Sequence, residues 1–96
     1  MSHLFKNCKK LESLDLSSFN TSIVINMEEM FSHIGAKELD LRNFNTLNVQ
    51  NFNLIFDECY DLNLTLHKIN CANMKNIMDN YDYVNVIYVT DDDYYY

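Results

Sequence analysis

The chain has 96 residues, a formal net charge of −7, and 48% hydrophobic against 22% charged residues. That balance describes one small folded domain rather than a disordered segment, with a core that is marginal at this length. So acidic a chain is excluded from nucleic-acid binding, because nothing in it neutralises a row of phosphates, and no apolar run approaches the ~20 residues of a membrane span.

In chain order, Met1, Leu4, Phe5 and Cys8 have helical spacing, which predicts a helix near 1–9. Leu14 and Leu16 then alternate with Ser13, Asp15 and Ser17, predicting a strand at 13–17. A bend follows at Phe19-Asn20-Thr21. Asn26 stands as an N-cap before Met27, Met30, Phe31 and Ile34, which are spaced i, i+3, i+4, i+7 and predict a helix over 27–34. Glu29 completes a capping box, and Gly35 occupies the place of a left-handed C-terminal cap. The period then falls to two: Leu39 and Leu41 point one way, Glu38, Asp40 and Arg42 the other, predicting a strand at 38–42.

The same order returns. Asn51 precedes Phe52, Ile55, Phe56 and Cys59, predicting a helix over 52–60. Leu64 and Leu66 alternate with Asn63, Thr65 and His67, predicting a strand at 63–67. Asn76 precedes a helix at 77–82, and a last strand at 86–90 exposes Tyr88 and Thr90. Asp91-Asp92-Asp93-Tyr94-Tyr95-Tyr96 breaks the pattern and reads as a solvated terminal tail over 91–96.

Leu14-Asp15-Leu16-x-x-Phe19-Asn20-Thr21 thus recurs as Leu39-Asp40-Leu41-x-x-Phe44-Asn45-Thr46 and, altered, as Leu64-Thr65-Leu66-x-x-Ile69-Asn70-Cys71. Self-similarity at a period of roughly 25 residues is the signature of a stacked array. The predicted fold is α/β, a leucine-rich-repeat-like right-handed solenoid of about three and a half repeats. Each repeat, at 1–26, 27–51, 52–76 and 77–90, supplies one short helix and one short parallel strand. One unit cannot bury its apolar face alone; stacking makes columns of like residues. Phe5, Phe31, Phe56 and Tyr81 form one column. Leu14, Leu39, Leu64 and Ile87 form a second, and Leu16, Leu41, Leu66 and Val89 a third. Phe19, Phe44 and Ile69 fill the far corner, with Asn20, Asn45 and Asn70 buried at the bend. With one glycine and no proline, turns fall to the fourteen asparagines, whose side chains close Asx-turns.

The pattern M-x-x-M-F-x-x-C-x-x-L-x-x-L-D-L-x-x-F-N-T-x-x-V-x-N resembles the BspA-like leucine-rich repeat of bacterial surface proteins, a mycoplasma-type repeat domain of unknown function. Cys8, Leu11, Leu14, Asp15, Leu16, Phe19, Asn20, Thr21, Val24 and Asn26 carry the match in the first repeat. Cys59 and Leu62 recover it in the third. The resemblance implies a cell-surface or extracellular, non-enzymatic solenoid used for adhesion or protein–protein contacts with a protein or host-surface ligand. The alternative is a structural spacer or capping segment of a longer repeat protein, with no ligand of its own. The array opens at a helix without a capping unit, so the chain reads as the C-terminal part of a longer array or a truncated product. Its uncovered Met1, Leu4 and Phe5 predict self-association through the first repeat.

Chemistry finds little foothold. Cys8 and Cys59 share a column two repeats apart, which puts them about 10 Å from each other, beyond disulfide reach. Cys71 lies elsewhere, and His3, His33 and His67 fall in three registers, so neither a metal site nor a nucleophile–base pair is predicted. No cofactor and no enzymatic activity are expected. The candidate site is the polar strand face: Asp15, Ser17, Glu38, Asp40, Arg42, Thr65 and His67.

Overall fold

A computed structural model describes residues 2–7, 16 and 20–91. They form a small mixed α/β structure around an open three-stranded parallel sheet, β1 (Glu38–Leu41), β2 (Leu62–His67) and β3 (Val84–Val89), in that spatial order. The alternation of leucines with polar residues makes these strands. Glu38, Leu39, Asp40 and Leu41 pair with Asn63, Leu64, Thr65 and Leu66. The predicted strands at 38–42 and 63–67 therefore stand, parallel as expected, while of the one at 13–17 only Leu16 is described, and it is buried.

Parallel neighbours need a long crossover, usually a helix. Here residues 42–61 cross without one. The segments expected as helices at 27–34 and 52–60 are ribbons of overlapping turns, and residues 2–7 follow the same course. Met30, Ser32 and Ile34 donate N–H back to Met27, Glu29 and Phe31, three residues earlier. The intervening N–H groups reach the next ribbon instead: Met27 to Asn51 O at 2.8 Å, Glu29 to Asn53 O at 2.9 Å, Phe31 to Ile55 O at 3.1 Å, His33 to Asp57 O at 2.8 Å. His3, Phe5 and Asn7 donate likewise to Glu28, Met30 and Ser32. A helix would spend these donors inside its own segment, and one of eight residues is too short to hold without help. Donating every second N–H to the neighbouring repeat ties the units together while keeping the same residues inward.

The ribbons require left-handed backbone, and apart from Asn7 the residues that take it are neither the asparagines nor the glycine. Glu29, His33, Leu54 and Glu58 have φ between 52° and 58°, with His3 and Asn7 at 62° and 63°. Gly35 has no positive φ and caps no helix. Asparagine does supply the turns by side chain: Oδ1 of Asn20, Asn26, Asn45 and Asn51 accepts the N–H two residues ahead, at 2.9–3.1 Å. The helix placed at 77–82 lies earlier, as a 3-10 turn at Ala72–Met74 running into α1 (Lys75–Met78).

The core lies between the ribbons and the inner face of the sheet. Phe5, Phe31 and Phe56 stack at 5.7 Å spacings, and Tyr81 meets Phe56 edge-on at 6.0 Å, so the aromatic column is as expected. Leu39, Leu41, Leu64 and Leu66 are buried beneath them. At the far corner Phe44 is buried but Ile69 is 64% exposed, and Phe19 lies outside the described residues. The buried bend column is shifted by one residue from the expected asparagines: Thr21, Thr46 and Cys71 are inside, and Asn20 is exposed. Thr21 Oγ1 accepts the Asn45 N–H, and the Cys71 thiol donates to Phe44 O, linking successive repeats through small polar groups that need partners once buried.

The last strand also differs in register. Val86, not Ile87, pairs with Leu64, and Tyr88, not Val89, with Leu66. The fourth repeat is shorter because α1 replaces a ribbon, and a one-residue slip reverses which side chains face the core.

Candidate partner-binding strand face

The outer face of the sheet is built by the residues that alternate with the core leucines. Two rows run across the strands. One holds Glu38, Asn63 and Asn85; the next holds Asp40, Thr65 and Ile87. Glu38, Asp40, Asn63, Asn85 and Ile87 are exposed and Thr65 is half-buried. Glu38, Asp40, Arg42, Asn63, Thr65 and Ile87 line a shallow depression of about 260 Å³.

Local hydrogen bonding fixes the charged edge. Asp40 Oδ1 accepts the Arg42 backbone N–H at 3.0 Å and its Nε–H at 2.9 Å, and Oδ2 lies 2.8 Å from the same Nε. The guanidinium is folded back over the carboxylate, so among the described residues of the face Glu38 is the acid without an ion pair. The Asn85 amide reaches Asn63 Oδ1 at 3.4 Å. The face therefore grades from acidic at β1, through amide and hydroxyl at β2, to an apolar Ile87 on β3. Its described residues offer hydrogen-bond donors, acceptors and one aliphatic anchor.

The structure brings Glu38, Asp40, Arg42 and Thr65 together as predicted; Asp15 and Ser17 lie outside the described residues. His67 does not belong to the exposed face. It is 3% exposed, its Nδ1 accepts the N–H groups of Ile69 and Asn70 at 3.1 Å, and its Nε2 lies 2.9 Å from Asp91 Oδ1. Accepting at Nδ1 places the proton on Nε2, which donates to Asp91; the residue is a turn-former at the strand end, where the alternation stops. Tyr88 is exposed as expected, although it pairs with Leu66 of the inner row, and Ile87, expected inside, is outside. Asn85 opposite Asn63 was the signal for that register.

Elsewhere, charged pairs decorate the ribbons. The Lys6 ammonium sits against Glu29 and, by hydrogen bonding, holds its carboxyl below the usual range. His33 Nδ1 lies 2.9 Å from Glu58. Cys59 and Cys71 are buried free thiols, and burial pushes the Cys59 thiol up to about 11. A buried thiol with so raised a pKa is a packing group. Among the described residues, no group of three or more His, Cys, Asp or Glu is arranged to hold a metal ion, and no helix is long and apolar enough to cross a membrane.

A family model described as Mycoplasma protein of unknown function, DUF285, matches residues 1–89. No curated protein and no solved structure matches the chain.

Proposed function

The chain belongs to this Mycoplasma family of unknown function, and we propose that it is a non-enzymatic repeat module that binds another protein through its bare strand face. One observation carries the reading. Parallel sheets occur almost only with both faces covered, yet here the leucine face is buried while Glu38, Asp40, Asn63, Asn85 and Ile87 stand in solvent. A polar rim around an aliphatic anchor is the composition of a protein contact rather than of a catalytic cleft. The recurrence of N–H to carbonyl bonds at 24- and 25-residue offsets supports a right-handed leucine-rich-repeat-like solenoid, and with it the resemblance to BspA-like adhesins and a cell-surface location. Residues of that face then act as a positioning surface for adhesion, with Arg42 held by Asp40 and Ile87 as its apolar centre.

The test is adhesion of the labelled chain to intact animal cells. Ile87→Lys and an Asp40→Lys/Arg42→Glu pair lower adhesion at least tenfold with melting temperatures preserved, while Asn48→Lys, on the return loop, leaves it unchanged. A chain that does not adhere, or adheres equally well with both face variants, rejects this reading in favour of a spacer.

A further inference from the structure

The ladder that ties the ribbons together has a direction, and at its C-terminal edge it is only half closed. In the second ribbon, N–H groups of Met27, Glu29, Phe31 and His33 all meet carbonyls of the third. Their equivalents in the third ribbon are Phe52, Leu54, Phe56 and Glu58. The fourth repeat has no ribbon to receive them. Glu58 N–H instead donates to the Tyr83 hydroxyl at 3.0 Å, and Phe56 N–H faces the Tyr81 hydroxyl. Among the described residues, no carbonyl accepts the N–H of Phe52 or Leu54. Phe52 and Leu54 line an open cavity of about 500 Å³ between the third ribbon and the end of α1, whose lining also includes Ile77, Asn80 and Tyr81.

We propose that this cavity is a peptide-binding site that takes an extended segment of another protein, neutral or basic, whose backbone carbonyls complete the two open rungs. The occupant is specified by the rung geometry. One repeat earlier, the same two donors are satisfied by carbonyls two residues apart, those of Asn51 and Asn53 at 2.8 and 2.9 Å. An extended chain presents carbonyls to one side at that spacing. Charge selects further. Asp57 is the charged side chain of the cavity wall, and the chain carries a net −7, so a lysine or arginine near Asp57 is favoured and an acidic segment repelled. The volume lies within the range of ligand cavities, about 300–1,000 Å³. Phe52 and Ile77 provide an apolar floor for one side chain of the segment. This site is separate from the strand face, and neither depends on the other.

The experiment follows the amide signals of the ¹⁵N-labelled chain while a capped hexapeptide of alternating threonine and valine with one central lysine is added. The Phe52 and Leu54 amides shift and exchange with solvent at least tenfold more slowly, while those of Met27 and Glu29, already bonded, do not change. Replacing the peptide's lysine by glutamate weakens binding up to about fivefold, as an exposed charge pair predicts. Asn80→Arg, at an exposed position of the wall, fills the cavity and abolishes the shifts; its own spectrum reports whether the fold is kept. Unmoved Phe52 and Leu54 amides at saturating lysine peptide overturn the proposal. So does equal binding by Asn80→Arg in a folded state. Protection that grows with chain concentration in the absence of peptide assigns the edge to a second copy, and also overturns it.

Discussion

The Tyr83 hydroxyl accepts the backbone N–H of Glu58 at 3.0 Å, in the place that the carbonyl of Asp57 holds for His33 at 2.8 Å one repeat earlier. A phenol thus stands in for the backbone of a missing ribbon. The same hydroxyl lies 3.5 Å from Phe56 O, and burial raises its pKa. Tyr83→Phe keeps the ring and its contact with Tyr60, at 4.7 Å between centroids, but removes the acceptor. The variant is less stable by about 1 kcal/mol, since Glu58 is exposed and water replaces part of the bond. Hydrogen exchange shows the Glu58 amide opening faster while Phe31, in the second ribbon, is unaffected.

Core and face respond differently to truncation. Phe31 is fully buried between Phe5 and Phe56, and Phe31→Ala costs about 3–5 kcal/mol. Asp40→Ala removes a half-exposed carboxylate and its pairing with Arg42, and stays within about 0.5 kcal/mol of the parent. Urea melts of the two variants decide this. An Asp40→Ala loss as large as that of Phe31→Ala is incompatible with β1 facing outward at that residue.

Leu54 holds φ at 56°, a conformation in which a Cβ is crowded, while its side chain is 42% exposed. Leu54→Gly removes the crowding and stabilises by about 1 kcal/mol before the small loss of apolar burial. Leu54→Val, branched at Cβ, is destabilised by about 1–2 kcal/mol in the same backbone. Thermal melts of the pair give opposite signs. Equal shifts would mean that the backbone relaxes out of the left-handed region.

Burial raises the Cys59 thiol from an ordinary 9.0 to about 11, and its Sγ donates to Phe31 O at 2.9 Å. The folded state therefore favours the neutral thiol. That contribution is complete below pH 9 and is lost as pH rises through about 11, because the unfolded chain ionises first. Stability measured by urea melts declines across that window, and Cys59→Ser, which keeps a donor, flattens the decline. Below pH 9 iodoacetamide modifies Cys59 only as fast as the fold opens.

Sequence alone determined the repeat and its inward residues. Leu39, Leu41, Leu64 and Leu66 declared two parallel strands by alternation, Phe5, Phe31, Phe56 and Tyr81 declared a column by recurrence, and asparagines marked the Asx-turns. These are local patterns, and side-chain period reads them directly. Of the candidate face, Glu38, Asp40, Arg42 and Thr65 were legible for the same reason. Tertiary structure decided the rest. Met27, Met30, Phe31 and Ile34 suit one face of a helix and one side of a turn ribbon equally, since both return every three to four residues. What separates the two is the destination of the Met27, Glu29, Phe31 and His33 N–H groups, which lies a whole repeat away. The place of Ile87 on the outer face and the burial of His67 were settled by cross-strand pairing and by the turn that closes on Nδ1. The half-closed edge at Phe52 and Leu54 exists only because α1, not another ribbon, comes next.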